Sequence, residues 1–105
     1  MQAHGFRLIE RGDGPPVVLV PGVQGRWEYS RGLVDALAAR YRVITFSLRD
    51  ERQQGVSLPS IDVFAGQVDE ALARAGVARA AIVGVSFGGL VALRFAATRH
   101  ERTSA

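Results

Sequence analysis

Residues 80–92 read Ala-Ala-Ile-Val-Gly-Val-Ser-Phe-Gly-Gly-Leu-Val-Ala. From Ala80 to Val85 the chain is apolar without alternation, the pattern of a strand covered on both faces. From Gly88 to Arg99 it continues as an apolar, alanine-rich helix. Between the two, Gly84-Val85-Ser86-Phe87-Gly88 matches G-x-S-x-G at a strand-to-helix junction, the context that this pattern needs. A serine on so sharp a turn is held in a strained backbone conformation. Its neighbours at minus two and plus two, Gly84 and Gly88, must be small for strand and helix to approach, and Gly89 adds room. The Ser86 hydroxyl is then expected at the carboxyl end of the strand. There it faces the amides that open the helix, where the positive end of the helix dipole favours a developing oxyanion.

Nearer the N-terminus, Val17, Val18, Leu19 and Val20 form a second continuous apolar run, stopped by Pro21 and Gly22. The loop Pro21-Gly22-Val23-Gln24-Gly25 that follows could set the amide of Val23 opposite that of Phe87, and two such donors make an oxyanion hole. Phe6 to Glu10 reads as a strand running into the turn at Gly12 to Pro16, antiparallel to the next. Leu33, Val34, Leu37 and Ala38 mark a helix over residues 27–40, and Arg42 to Ser47 another strand. Ser60 caps a helix whose face carries Phe64, Val68, Ala71, Leu72 and Ala75, ended by Gly76. Strands alternating with helices predict an α/β fold: a three-layer, mostly parallel sheet with helices on both faces, in one domain over residues 1–105.

Composition narrows the function. With 48% apolar and 22% charged residues the chain is expected to fold. It has no cysteine, and its two histidines, His4 and His100, lie far apart, so thiolate chemistry is excluded and no metal site or cofactor is implied. The net charge of +3 rests on arginines spread among ten acids without a basic stripe, so no nucleic acid is expected as partner. No secretory signal is visible, and the longest apolar stretch falls short of the roughly 20 residues that span a bilayer. No membrane partner and a cytoplasmic location are therefore expected. Asp50 and Glu51 read as a solvated loop, and Trp27 and Tyr29 either line a substrate pocket or pack the first helix against the sheet.

Gly14-Pro15-Pro16-Val17-Val18-Leu19-Val20-Pro21-Gly22, Gly25-Arg26-Trp27, Tyr41-Arg42-Val43-Ile44 and Gly84-Val85-Ser86-Phe87-Gly88-Gly89-Leu90-Val91-Ala92 together resemble the α/β-hydrolase family over essentially the whole chain. The resemblance implies that Ser86 is a catalytic nucleophile, that the amides of Val23 and Phe87 form the oxyanion hole, and that the complete enzyme takes a small-molecule acyl substrate of ester type. The chain departs from the family at Pro21, where histidine is more usual, and in the loop Ser47-Leu48-Arg49-Asp50-Glu51. In the family the acid and histidine follow the serine, but after Ser86 come only Glu101 and His100, at the far end of the helix. We therefore expect the N-terminal half of such an enzyme, a fragment inactive alone. Its Ala80 to Val85 strand would be an open apolar edge, inviting self-association or a C-terminal-half partner. Two other readings stand beside this one. One is a non-catalytic interaction module using that edge. The other is a nucleotide-binding α/β module, which the absence of lysine and of G-x-G-x-x-G argues against.

Overall fold

Of the two apolar runs of the sequence, residues 17–20 fall in an inner strand of a four-stranded sheet and residues 80–85 in an outer one. In the computed structural model, residues 7–22, 26–47 and 61–105 are described. Strands β1 (Ile9–Arg11), β2 (Pro16–Val20), β3 (Arg42–Thr45) and β4 (Ala81–Gly84) lie in the order β1-β3-β2-β4. β2 is parallel to both neighbours, with Val18 opposite Ile44 on one side and Ile82 on the other. Helices cover both faces, which is why Val17 to Val20 show no alternation. On one face, Val18, Val20, Ile44 and Phe46 pack against α2 (Ile61–Ala75) and α3 (Phe87–Thr98) through Phe64, Val68, Leu72, Val91 and Phe95. On the other, Leu19 and Val43 meet Val34 of α1 (Arg31–Ala38). The expected three-layer α/β architecture is present.

The first strand differs from expectation. β1 does not pair with β2; it is antiparallel to β3, with Ile9 opposite Thr45, and β3 separates it from β2. The turn explains this. Gly12 and Gly14 have φ of 82° and 127° and lie so close to the end of α1 that a Cβ would run into the carbonyls of Ala38 and Tyr41, or of Arg40. The chain thus folds around the entry to β3 rather than forming a hairpin. Arg42 fastens the arrangement, donating to Glu10 at 2.9 and 2.7 Å and to the Ala75 carbonyl at 2.8 Å.

The helices follow the pattern with local changes. Residues 27–30 form a 3-10 turn ahead of the shorter α1, and of the predicted stripe only Val34 is fully buried, while Leu33 is exposed. α2 ends as foreseen. Gly76 takes φ 72°, and the Val77 amide reaches back to the Leu72 carbonyl at 2.9 Å, the bond that closes a helix over a left-handed residue. Ser60 lies outside the described residues.

Beyond α3 the chain changes the expected edge. After a 3-10 turn (His100–Arg102), residues 103–105 run parallel to β4 on the side away from β2. The Ser104 amide donates to the Ala80 carbonyl, and the Ile82 amide to the Ala105 carbonyl, each at 2.9 Å. The edge expected to be open from Ala80 to Val85 is therefore occupied as far as Ile82 and, among the described residues, open at Gly84. Asp69 of α2 holds this segment in place by binding Arg99 and, at 2.7 Å, Arg102.

Candidate active site

Ser86 follows β4 and immediately precedes α3, with φ 56° and ψ −118°. It is the one non-glycine residue with positive φ among the described residues. These angles are those of the first central residue of a type II′ turn, a position that ordinarily goes to glycine. The residue is exposed, and its hydroxyl has no hydrogen-bond partner among the described residues.

The glycines around it are required by close approach. A Cβ at Gly84 would collide with the Gly88 carbonyl, and at 2.5 Å with the Gly89 Cα, so the strand meets the helix backbone directly. A Cβ at Gly88 would strike the carbonyls of Val20 and, at 2.6 Å, Pro21, so the start of α3 rests on the end of β2. Gly89 differs: a Cβ there would find only the Gly84 carbonyl at 3.9 Å. Gly22 also belongs to the site. A Cβ on it would strike the Val85 carbonyl and come within 2.9 Å of the Ser86 Cβ, so the exit of β2 lies against the Ser86 turn. The sequence signal for this was Pro21-Gly22 directly after an apolar strand.

Of the two expected donors, Phe87 is described. The amides of Gly88 and Gly89 close the turn on the carbonyls of Val85 and Ser86 at 2.8 Å. The Phe87 amide has no acceptor among the described residues, as befits the first residue of a helix. Its ring meets Phe64 edge-on at 5.5 Å and is otherwise exposed, which seats the start of α3 on α2. Val23 lies outside the described residues.

The other candidates are not brought to Ser86. His100 and Glu101 sit beyond α3, which at about 1.5 Å per residue carries them on the order of 20 Å away. His4, Asp50 and Glu51 lie outside the described residues. Trp27 packs against the cluster of Leu19, Val34 and Val43 between sheet and α1: its amide donates to the Ser47 hydroxyl at 3.2 Å, and Arg31 stacks over its ring at 5.0 Å. Beside the serine instead is an apolar groove of about 540 Å3, formed by Ile82 and Gly84 of β4 with Leu90 and Leu93 of α3 and Thr103. Among the described residues no cluster of three or more His, Asp or Glu side chains could hold a metal ion. No helix among them is long and apolar enough to cross a membrane. The arrangement offers an exposed hydroxyl beside an unpaired amide, in a setting where charge developing on an adjacent oxygen would be stabilised.

A sequence profile of the alpha/beta hydrolase fold matches residues 15–105. Curated relatives include RutD proteins, for which carbamate hydrolysis is the proposed activity. RutD of Klebsiella pneumoniae is 34% identical over 94 residues, covering 87% of this chain and 35% of its own. RutD of Rhizobium rhizogenes is 30% identical over 103 residues, covering 95% and 38%. The chain thus spans about a third of the length of these relatives. Among solved structures, an alpha/beta hydrolase from a sediment metagenome of the Mar Chica lagoon superposes with TM-score 0.83 at 25% identity, covering all of this chain and 48% of that one. Epoxide hydrolase VrEH1 from Vigna radiata gives TM-score 0.79 at 23% identity, covering 95% and 33%, a likeness of fold.

Proposed function

The chain belongs to the alpha/beta hydrolase fold family, and from that premise we propose that Ser86 is the nucleophile of an acyl hydrolase, with the amides of Phe87 and Val23 as its oxyanion hole. The observation that carries this reading is the backbone of Ser86: a non-glycine residue at φ 56°, exposed, with the exit of β2 against it and the unpaired first amide of α3 next in the chain. Strain of this type costs about 1–3 kcal/mol and persists where it positions a reacting group.

The reaction follows from the parts. The Ser86 oxygen attacks the carbonyl carbon of an ester or carbamate, and the carbonyl oxygen becomes an oxyanion facing the two amides. The serine proton passes to a base and from it to the leaving group as the old acyl bond breaks. Water then hydrolyses the acyl-serine by the same route in reverse roles. The carbamoyl portion of a carbamate is an acyl group, so the relationship to RutD and the serine point to the same chemistry.

The base is not His100, which the fold carries to the far end of α3. We assign the acid and histidine to a segment of the family's domain outside these 105 residues, seated along the groove of Leu90 and Leu93 where β4 is open at Gly84. Among the described residues the serine has no base, and on this reading the chain alone is inactive. Hydrolysis of p-nitrophenyl acetate tests the proposal. Turnover is expected only with the completing segment present, and Ser86→Ala should lower kcat by at least about a thousandfold. Full turnover in Ser86→Ala would refute it.

A further inference from the structure

We propose that the groove between β1 and α1 is a second binding site, for a small organic dicarboxylate. It encloses about 430 Å3, within the range of small-ligand sites. It lies at the sheet edge three strands from β4, so it does not depend on the chemistry at Ser86. Strand alternation sends Arg7, Ile9 and Arg11 to the α1 side, where all three line the groove. Leu8 and Glu10 go to the other side, Leu8 into the main core and Glu10 to Arg42. Ile9 and Ser47 make the floor, and Trp27, Arg31 and Asp35 the opposite wall.

Among the described residues the charges are uncompensated. Among the described residues neither Arg7 nor Arg31 forms an ion pair, and Arg11 donates only to the neighbouring Glu10 carbonyl at 2.9 Å. The acid Glu28 is already engaged, 3.5 Å from Arg26 and accepting from the Ser47 hydroxyl at 3.4 Å. Its own backbone amide, with help from Arg26 and Ser47, holds its carboxyl below the usual range. Among the described residues that line the groove, this leaves Asp35 against three guanidinium groups. Guanidinium forks grip carboxylates with two parallel hydrogen bonds. Arg7, two residues ahead of β1, and Arg11 at its end are four residues apart, roughly 13 Å along extended chain, with apolar Ile9 between them. Two carboxylates joined by methylenes match that spacing, whereas a single phosphate would need both side chains to fold inward.

Trp27 is the chain's single tryptophan, so its emission reports on this groove. Glutarate, titrated at constant ionic strength, is expected to shift that emission saturably and at lower concentration than inorganic phosphate. The double variant Arg7→Gln, Arg11→Gln, altered at two exposed side chains, should bind at least about tenfold more weakly. Asp35→Asn should bind more tightly. A linear response without saturation, equal binding of phosphate, or unchanged binding in the double variant would overturn the proposal.

Discussion

At Ser86 the side chain and the backbone have opposite preferences, and this separates function from stability. Glycine takes φ 56° without penalty, so Ser86→Gly should stabilise the chain by about 1–2 kcal/mol. In a domain of this size that raises the thermal midpoint by several degrees. Ser86→Ala keeps the Cβ and therefore the strain, and should stay within about 0.5 kcal/mol of the parent. Equal midpoints for Ser86→Gly and Ser86→Ala would show that no strain is stored there. The adjacent glycines sort by what a methyl group would meet. Gly88→Ala drives a Cβ into the carbonyls of Val20 and Pro21 and should cost at least about 2 kcal/mol. Gly89→Ala meets only ordinary contact and should be neutral or stabilising, since alanine suits a helix by up to about 1 kcal/mol. Urea denaturation of the pair reads the difference directly. The role of Gly84 and Gly88 could be read from the pentapeptide because the turn admits few shapes. That Gly89 has room to spare could not, because its freedom depends on which way its Cα faces.

Among the elements, β4 and α3 carry the site, and an ion pair ties α3 to α2. Arg94 binds Asp62 at 2.6 and 3.2 Å and is the main cause holding that carboxyl below its usual range, with Arg99 adding a smaller pull. A carboxyl depressed in the folded state contributes stability above its unfolded pKa, near 3.8, and loses it as the pH falls below that value. Both side chains are exposed, so the effect is small and screened by salt. The stability of Arg94→Ala should accordingly converge with that of the parent on acidification through pH 3.8 in low salt; a gap that persists at lower pH would contradict the assignment. The elements themselves were legible where apolar runs were continuous, as in β2 and β4, or spaced by 3.6, as in α2. The partner of β1 was not. Whether a short strand pairs with its sequence neighbour or with one inserted later depends on how Gly12 and Gly14 pack against the end of α1, a contact absent from local pattern. The strand-like path of residues 103–105 was equally hidden, because Thr-Ser-Ala carries no apolar signal and the Asp69 pairs with Arg99 and Arg102 set its course. The groove arginines escaped notice for the same reason, since Arg7 and Arg11 meet Arg31 only through packing across the sheet.

At the scale of the whole molecule, apolar surface lies beside a strand edge. Residues 103–105 cover β4 to Ile82, but Leu90 and Leu93 remain 56% and 69% exposed beside the open backbone at Gly84. Apolar surface next to a free strand edge favours association. Sedimentation of the chain alone should show mass rising with concentration, and Leu90→Glu with Leu93→Glu should return it towards monomer; a monomer at all concentrations would remove the basis for a docking segment there. If the Ser86 hydroxyl is the reacting group, a fluorophosphonate probe will mark it, and peptide mapping will locate the adduct. One adduct is expected, on Ser86, in the chain joined to its completing segment, little or none in the chain alone, and none in Ser86→Ala. An adduct on another residue, or undiminished labelling of Ser86→Ala, would contradict it.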